Sequence, residues 1–154
     1  MNPKKIKIGC ASAFWGDTSS AAKQLVEKGD IDYLVSDFLA EMTMSILARS
    51  KINNPKMGYA TDFIDQLSPL LEMIKSKNIK VISNAGGVNL NSCKEALEKI
   101  AHSLGVALNI AIISGDDLMS KKNELMGLNI KEMETDQELP DNLLSSNAYL
   151  GAIP

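Results

Sequence analysis

Four short apolar runs, separated by stretches of helical periodicity, constrain the fold of this chain more than any other feature. The runs are 6–11, 33–36, 80–83 and 107–113. Val and Ile recur in them, and Gly, Asp, Asn or Ser bounds each one. Strand-like runs alternating with helical segments specify βαβ units and a parallel sheet. The fold class expected is therefore α/β, a Rossmann-like open parallel sheet with flanking helices. Right-handed crossovers would bring the carboxyl ends of all four strands to one edge.

The helical segments carry their own punctuation. The first spans Ser19 to Lys28, with Asp17 or Thr18 as its cap, Gly29 as its stop, and Ala21, Ala22, Leu25 and Val26 as its buried stripe. The second spans about Leu39 to Ser50 and carries Met42, Ile46 and Leu47. The third runs from about Tyr59 to Lys77, with Pro69 kinking or dividing it at Ser68. The fourth is expected to begin at an S-x-x-E capping box formed by Ser92 and Glu95 and to close at Gly105. A short helix comes after Asp116, and residues 127–146 read as a long irregular connection. The chain then ends on an apolar stretch, Asn147 to Pro154. A chain ending as an apolar segment begins reads as one α/β domain, 1–154, cut from the N-terminal side of a larger protein.

Composition excludes several function classes. At 154 residues the chain can bury one ordinary core, and 45% hydrophobic with 23% charged residues is a globular balance. A net charge of -3 supplies no basic footprint for nucleic acid. No apolar run approaches the roughly 20 residues of a membrane span. Two cysteines, Cys10 and Cys93, are too few for a disulfide framework and suit a reducing cytoplasm.

The candidate site is built from the polar residues at the carboxyl end of each strand. The first run leads into Ser12, Trp15, Gly16 and Asp17, the second into Asp37 and Glu41. After the third come Asn84, Gly86, Gly87 and Asn89, and after the fourth Ser114, Gly115, Asp116 and Asp117. In a parallel sheet these groups converge on one edge, the usual ligand edge of an open α/β fold. The paired glycines in Ser83 to Asn89, SNAGGVN, would let backbone pass close to a ligand ahead of a helix N-terminus that favours anions. Neither the G-x-G-x-x-G fingerprint nor a Walker loop is present.

Asp37, Asn84 and Asp116 are the catalytic candidates. Asp37 and Glu41, with Asp116 or Asp117, could hold Mg²⁺ through oxygen ligands, and the first two could equally bind substrate hydroxyls or act as an acid/base pair. Helix capping explains the same Asp, Ser and Asn residues without a ligand. Trp15 could stack on a ligand or form a lid, and packing over a strand end is an equal reading. Cys93, in the first turn of a helix, has a stabilised thiolate but no partner base. His102 lies opposite the apolar stripe of its helix and faces solvent.

GCASAFWGD, DYLVSDFLAEMTMSILAR, SNAGGVN, SGDD and SSNAYLGA resemble, in that order, the acyclic terpene utilisation family. The resemblance runs from Ile8 to Pro154, and the long second string makes it specific. It implies an N-terminal piece of a longer protein and a role in the breakdown of acyclic terpenoids and related branched acyl compounds, beside acyl-CoA enzymes. It names no reaction and assigns no catalytic residue. The expectation is an enzyme, or the binding portion of one, for a small-molecule substrate such as an acyl-CoA. The alternative is a non-catalytic subunit or scaffold. Ligand contacts are expected at Ser12, Trp15, Gly16, Asp17, Gly86, Gly87, Asn89, Asp117 and Asn147. The remainder of a longer chain and a second copy of this one are the protein partners expected.

Overall fold

A computed structural model of the chain describes residues 5–149 and 151. Its contacts divide into two units, 1–112 and 113–154, each internally compact.

The first unit holds a three-stranded parallel sheet in the order β1 (Ile8–Ser12), β2 (Tyr33–Ser36), β3 (Lys80–Ser83). The open α/β class read from the sequence is the one observed. Between β1 and β2 runs α1 (Ala21–Lys28). Between β2 and β3 run α2 (Glu41–Asn53), α3 (Thr61–Leu67), a 3₁₀ turn (Ser68–Leu70) and α4 (Leu71–Ser76). The helix α5 (Leu90–Ser103) comes after β3. Pro69 divides the third segment as expected: it has no N–H to donate, and the helix gives way to a 3₁₀ turn there, although Ser68 before it keeps αR geometry.

Strands placed in sequence order, joined by crossovers of one hand, put every connecting helix on the same face of the sheet. Contacts of α1 with both α3 and α4, and of α3 with α5, agree with this one-sided stack. The core lies between helices and sheet, with Val26 and Leu34 fully buried beside Phe38, Phe63, Leu67 and Ile74. Phe38 and Phe63 meet edge to face at 5.9 Å. At the C-terminus of α1, Lys77 Nζ donates to the carbonyls of Val26 and Glu27 at 2.6 and 2.9 Å, a cation on the negative end of the helix.

Among the described residues of this unit, no helix lies against the opposite face of the sheet. Ile8, Tyr33 and Lys80 stand in register across it, as do Cys10, Val35 and Ile82. Ile8 is 66% exposed and Ile82 55%. A register shift between Cys10 and Ser12 turns both Ala11 and Ser12 inward.

Three expectations are corrected. Ala107–Ile113 is not a strand: it is extended, pairs with no strand among the described residues, and leaves Ile113 74% exposed. β-propensity by itself does not make a strand: the segment pairs with neither edge strand of the sheet. The N-cap of α5 is Asn89 and not Ser92, whose N–H the Asn89 side chain accepts at 3.4 Å. The N-cap of α1 is Ser20, without a side-chain cap bond, and neither Asp17 nor Thr18 takes that place.

In the second unit a 3₁₀ turn (Met119–Lys121) leads into α6 (Lys122–Gly127), the short helix expected after Asp116. The described residues beyond it are irregular; the unit's isolated bridges are Lys131–Glu138 and Asp117–Asn147, and the last apolar residues, 150 and 152–154, lie outside those described.

Candidate functional site

The carboxyl ends of β1, β2 and β3 finish on Ser12, Ser36 and Ser83, side by side in the sheet. Each serine or its successor ties one strand end to the next. The Asp37 N–H donates to the Ser12 carbonyl at 3.1 Å, and the Ser12 hydroxyl donates to the Asp37 carbonyl at 3.2 Å. The Ser83 hydroxyl donates to the Ser36 carbonyl at 2.7 Å.

Asn84 completes the edge. Its Oδ1 accepts the Phe38 N–H at 2.8 Å, and its Nδ2 donates to Asp37 Oδ1 at 2.7 Å. Asp37 Oδ1 also accepts the Leu39 N–H at 3.2 Å. Asp37 is exposed, and the hydrogen bonds described engage its Oδ1 alone, which orients the carboxylate. Ser12, Asp37 and Asn84, three of the residues expected from sequence, are thus joined in one network. Both ends of the Asn84 amide are spent inside the protein. Its role is to position Asp37 and the backbone of Phe38.

The paired glycines do something other than make room for a ligand. A Cβ on Gly87 would lie 2.8 Å from the Gly58 carbonyl oxygen and 2.5 Å from Leu47 Cδ1, and Gly87 has φ +52°. A Cβ on Gly86 would collide with the Leu90 side chain. The SNAGGVN turn is laid against the segment preceding α3. The Val88 N–H donates to Gly58 at 2.9 Å, and the Ala60 N–H donates to Ala85 at 2.8 Å. Asn89 Nδ2 donates to the carbonyls of Pro55 and Met57, and Lys51 Nζ donates to that of Val88 at 2.6 Å. Asn89 is consumed by capping and by this seam. Sequence reasoning missed Gly58 and Lys51. The turn residues Asn53, Asn54 and Pro55 were the signal that a close approach was being built there.

Around β1, Asp17 Oδ2 accepts the Ala13 N–H at 2.9 Å and closes the loop after the strand, with Gly16 at φ +89°. Trp15 is half-buried and packs against the core, as the strand-end reading expects. Glu41 is the first residue of α2 and is exposed. Cys93 is buried, and burial pushes its thiol up to about 11, so it is a protonated packing residue and not a nucleophile. The Tyr59 hydroxyl is raised as well, first by burial and then by its neighbours Cys93, once that thiol ionises, and Asp65. His102 is exposed, as expected.

Asp116, Asp117 and Asn147 belong to the second unit, where they meet one another. Asn147 Nδ2 donates to Asp116 Oδ2 at 3.0 Å, and the Ala148 N–H donates to the Asp116 carbonyl at 2.8 Å. Asp117 Oδ1 accepts the Met119 N–H at 2.9 Å and opens the 3₁₀ turn. The SGDD and SSNAY segments are therefore clasped together within that unit. The set Asp37, Glu41 and Asp116 spans both units. Among the described residues no group of three His, Cys, Asp or Glu side chains is placed to hold a metal ion. Among them, too, no helix is long and apolar enough to cross a membrane.

A parallel sheet with its helices on one side and a hydrogen-bonded carboxylate at its carboxyl edge defines an open α/β fold. The family is more specific: the model of the acyclic terpene utilisation family protein AtuA matches residues 6–154, and the chain belongs to that family. No curated protein and no solved structure was found to match it.

Proposed function

We propose that the chain is the binding portion of an enzyme acting on a branched acyl compound, carried as an acyl-CoA, in acyclic terpene utilisation. The family supports the pathway, and the carboxyl edge supports the site. The observation that carries the reading is Asp37: an exposed carboxylate, held through Oδ1 by Asn84 and the Leu39 N–H. A carboxylate fixed in this way accepts a substrate hydroxyl or takes a proton at a defined point. The phosphate end of such a ligand would sit apart from it, toward the N-terminus of α5, where the helix dipole favours an anion. Separate subsites reconcile an acidic group with an anionic ligand. The cytoplasm suits the two free cysteines.

A second reading, a non-catalytic subunit of an acyl-CoA pathway assembly, is favoured by the uncovered sheet face carrying Ile8 and Ile82. Equilibrium dialysis of the chain against a metabolite and acyl-CoA extract, read by mass spectrometry, separates the two. Enrichment of a branched acyl-CoA supports the enzyme. Retention of no small molecule, with capture of an acyl-CoA enzyme on the immobilised chain, supports the subunit.

A further inference from the structure

We propose that the outward face of α2 is a self-complementary contact between two copies of this chain. The helix has two apolar faces. Met44, Leu47 and Ala48 are buried in the unit. Met42, Ile46 and Ile52 point away from it and are 76%, 52% and 61% exposed. Together with Ser45 and Arg49 they form one outward stripe at helical spacing. One exposed apolar residue is ordinary on a surface, whereas three on one helix face form a patch that calls for a partner.

The charges on that face identify the partner. Arg49 is the sole arginine of the chain. Neither Arg49 nor Glu41 makes an ion pair among the described residues. Eight residues separate them, about 12 Å along the helix axis and about 80° around it, with Ser45 midway in both measures. A two-fold axis through Ser45 runs a second α2 antiparallel to the first. It sets Glu41 of each copy opposite the partner's Arg49, twice over. A contact of this kind uses one patch on both subunits and closes on itself. Arginine suits it, because a guanidinium matches a carboxylate in a two-point fork. Ser45 suits the axis, because its side chain is small and its hydroxyl is folded back onto the Glu41 carbonyl at 3.1 Å. Met42, Ile46 and Ile52 then flank the crossing and lose water. An acidic or a basic partner would answer only one of the two charges. A second copy answers both.

Sedimentation equilibrium of the 154-residue chain over a concentration series tests the proposal. The wild type should form a reversible dimer that weakens as salt is raised. Glu41→Arg and Arg49→Glu should each weaken it by about tenfold or more, since each places two like-charged pairs in contact. The double variant should recover the wild-type constant to within about threefold, and an equimolar mixture of the two single variants should associate more tightly than either alone. Met42→Lys should weaken the dimer through the apolar flank. A wild-type chain that stays monomeric overturns the proposal. So does association that survives both charge reversals unchanged, which would place the contact elsewhere, on the uncovered sheet face.

Discussion

Gly87 has no room for a side chain, and the obstruction is the protein itself. Its φ of +52° and the Gly58 carbonyl 2.8 Å from a would-be Cβ make it a folding residue. Gly87→Ala should therefore lower stability by about 1–3 kcal/mol in urea unfolding, through strain and a backbone collision. Retention of full stability would show that the turn is looser than described. The sequence announced two glycines before a helix, and that much was legible. That Gly58, 29 residues earlier, fills the space beside them depends on a tertiary approach that no local pattern encodes. Cys93 teaches the same lesson. Its place in the first turn of α5 argued for a thiolate, but burial outweighs the dipole and raises the thiol to about 11. A thiol whose pKa is raised in the folded state adds stability that is complete below its ordinary value of 9.0 and is lost as pH climbs through about 11. In a Cys10→Ser background, alkylation of Cys93 should be slow at pH 8 and should accelerate only as pH passes that upper value. Rapid labelling at pH 8 would mean an accessible thiolate.

Among the elements, the two faces of the sheet should respond oppositely to substitution. Leu34 is fully buried under the helices, and Leu34→Ala should cost about 2–5 kcal/mol. Ile82→Thr, on the uncovered face, should leave the melting temperature within a few degrees and reduce binding of a hydrophobic dye. Equal losses at both positions would mean that something covers the second face. Helix positions and the break at Pro69 were legible because periodicity and proline are local signals. The N-cap of α5 was not, because Asn89 serves the helix and the carbonyls of Pro55 and Met57 together. The run Ala107–Ile113 has the composition of a strand, yet among the described residues it pairs with neither outer strand of the sheet, and composition does not encode that pairing.

For the whole molecule, chain order fixes what is exposed. Parallel strands in the order β1, β2, β3 receive their helices on one side, which explains why a sheet of this composition has an apolar face in water. Limited proteolysis should cut first within the exposed residues 107–115, between the two units, leaving the first as a resistant fragment. Of the site expected from sequence, the convergence of Ser12, Asp37 and Asn84 came from parallel strand order alone. The pairing of Asp116 with Asn147 did not, because nothing in either segment points to the other across 31 residues. Calorimetric titration of the wild type and of Asp37→Asn with a branched acyl-CoA tests the central claim most directly. The amide keeps the Oδ1 bonds to Asn84 and Leu39 and removes only the charge and the free carboxylate oxygen. The account predicts saturable binding by the wild type and affinity lower by about tenfold in the variant, with the melting temperature preserved. Equal affinity in the two proteins would contradict it.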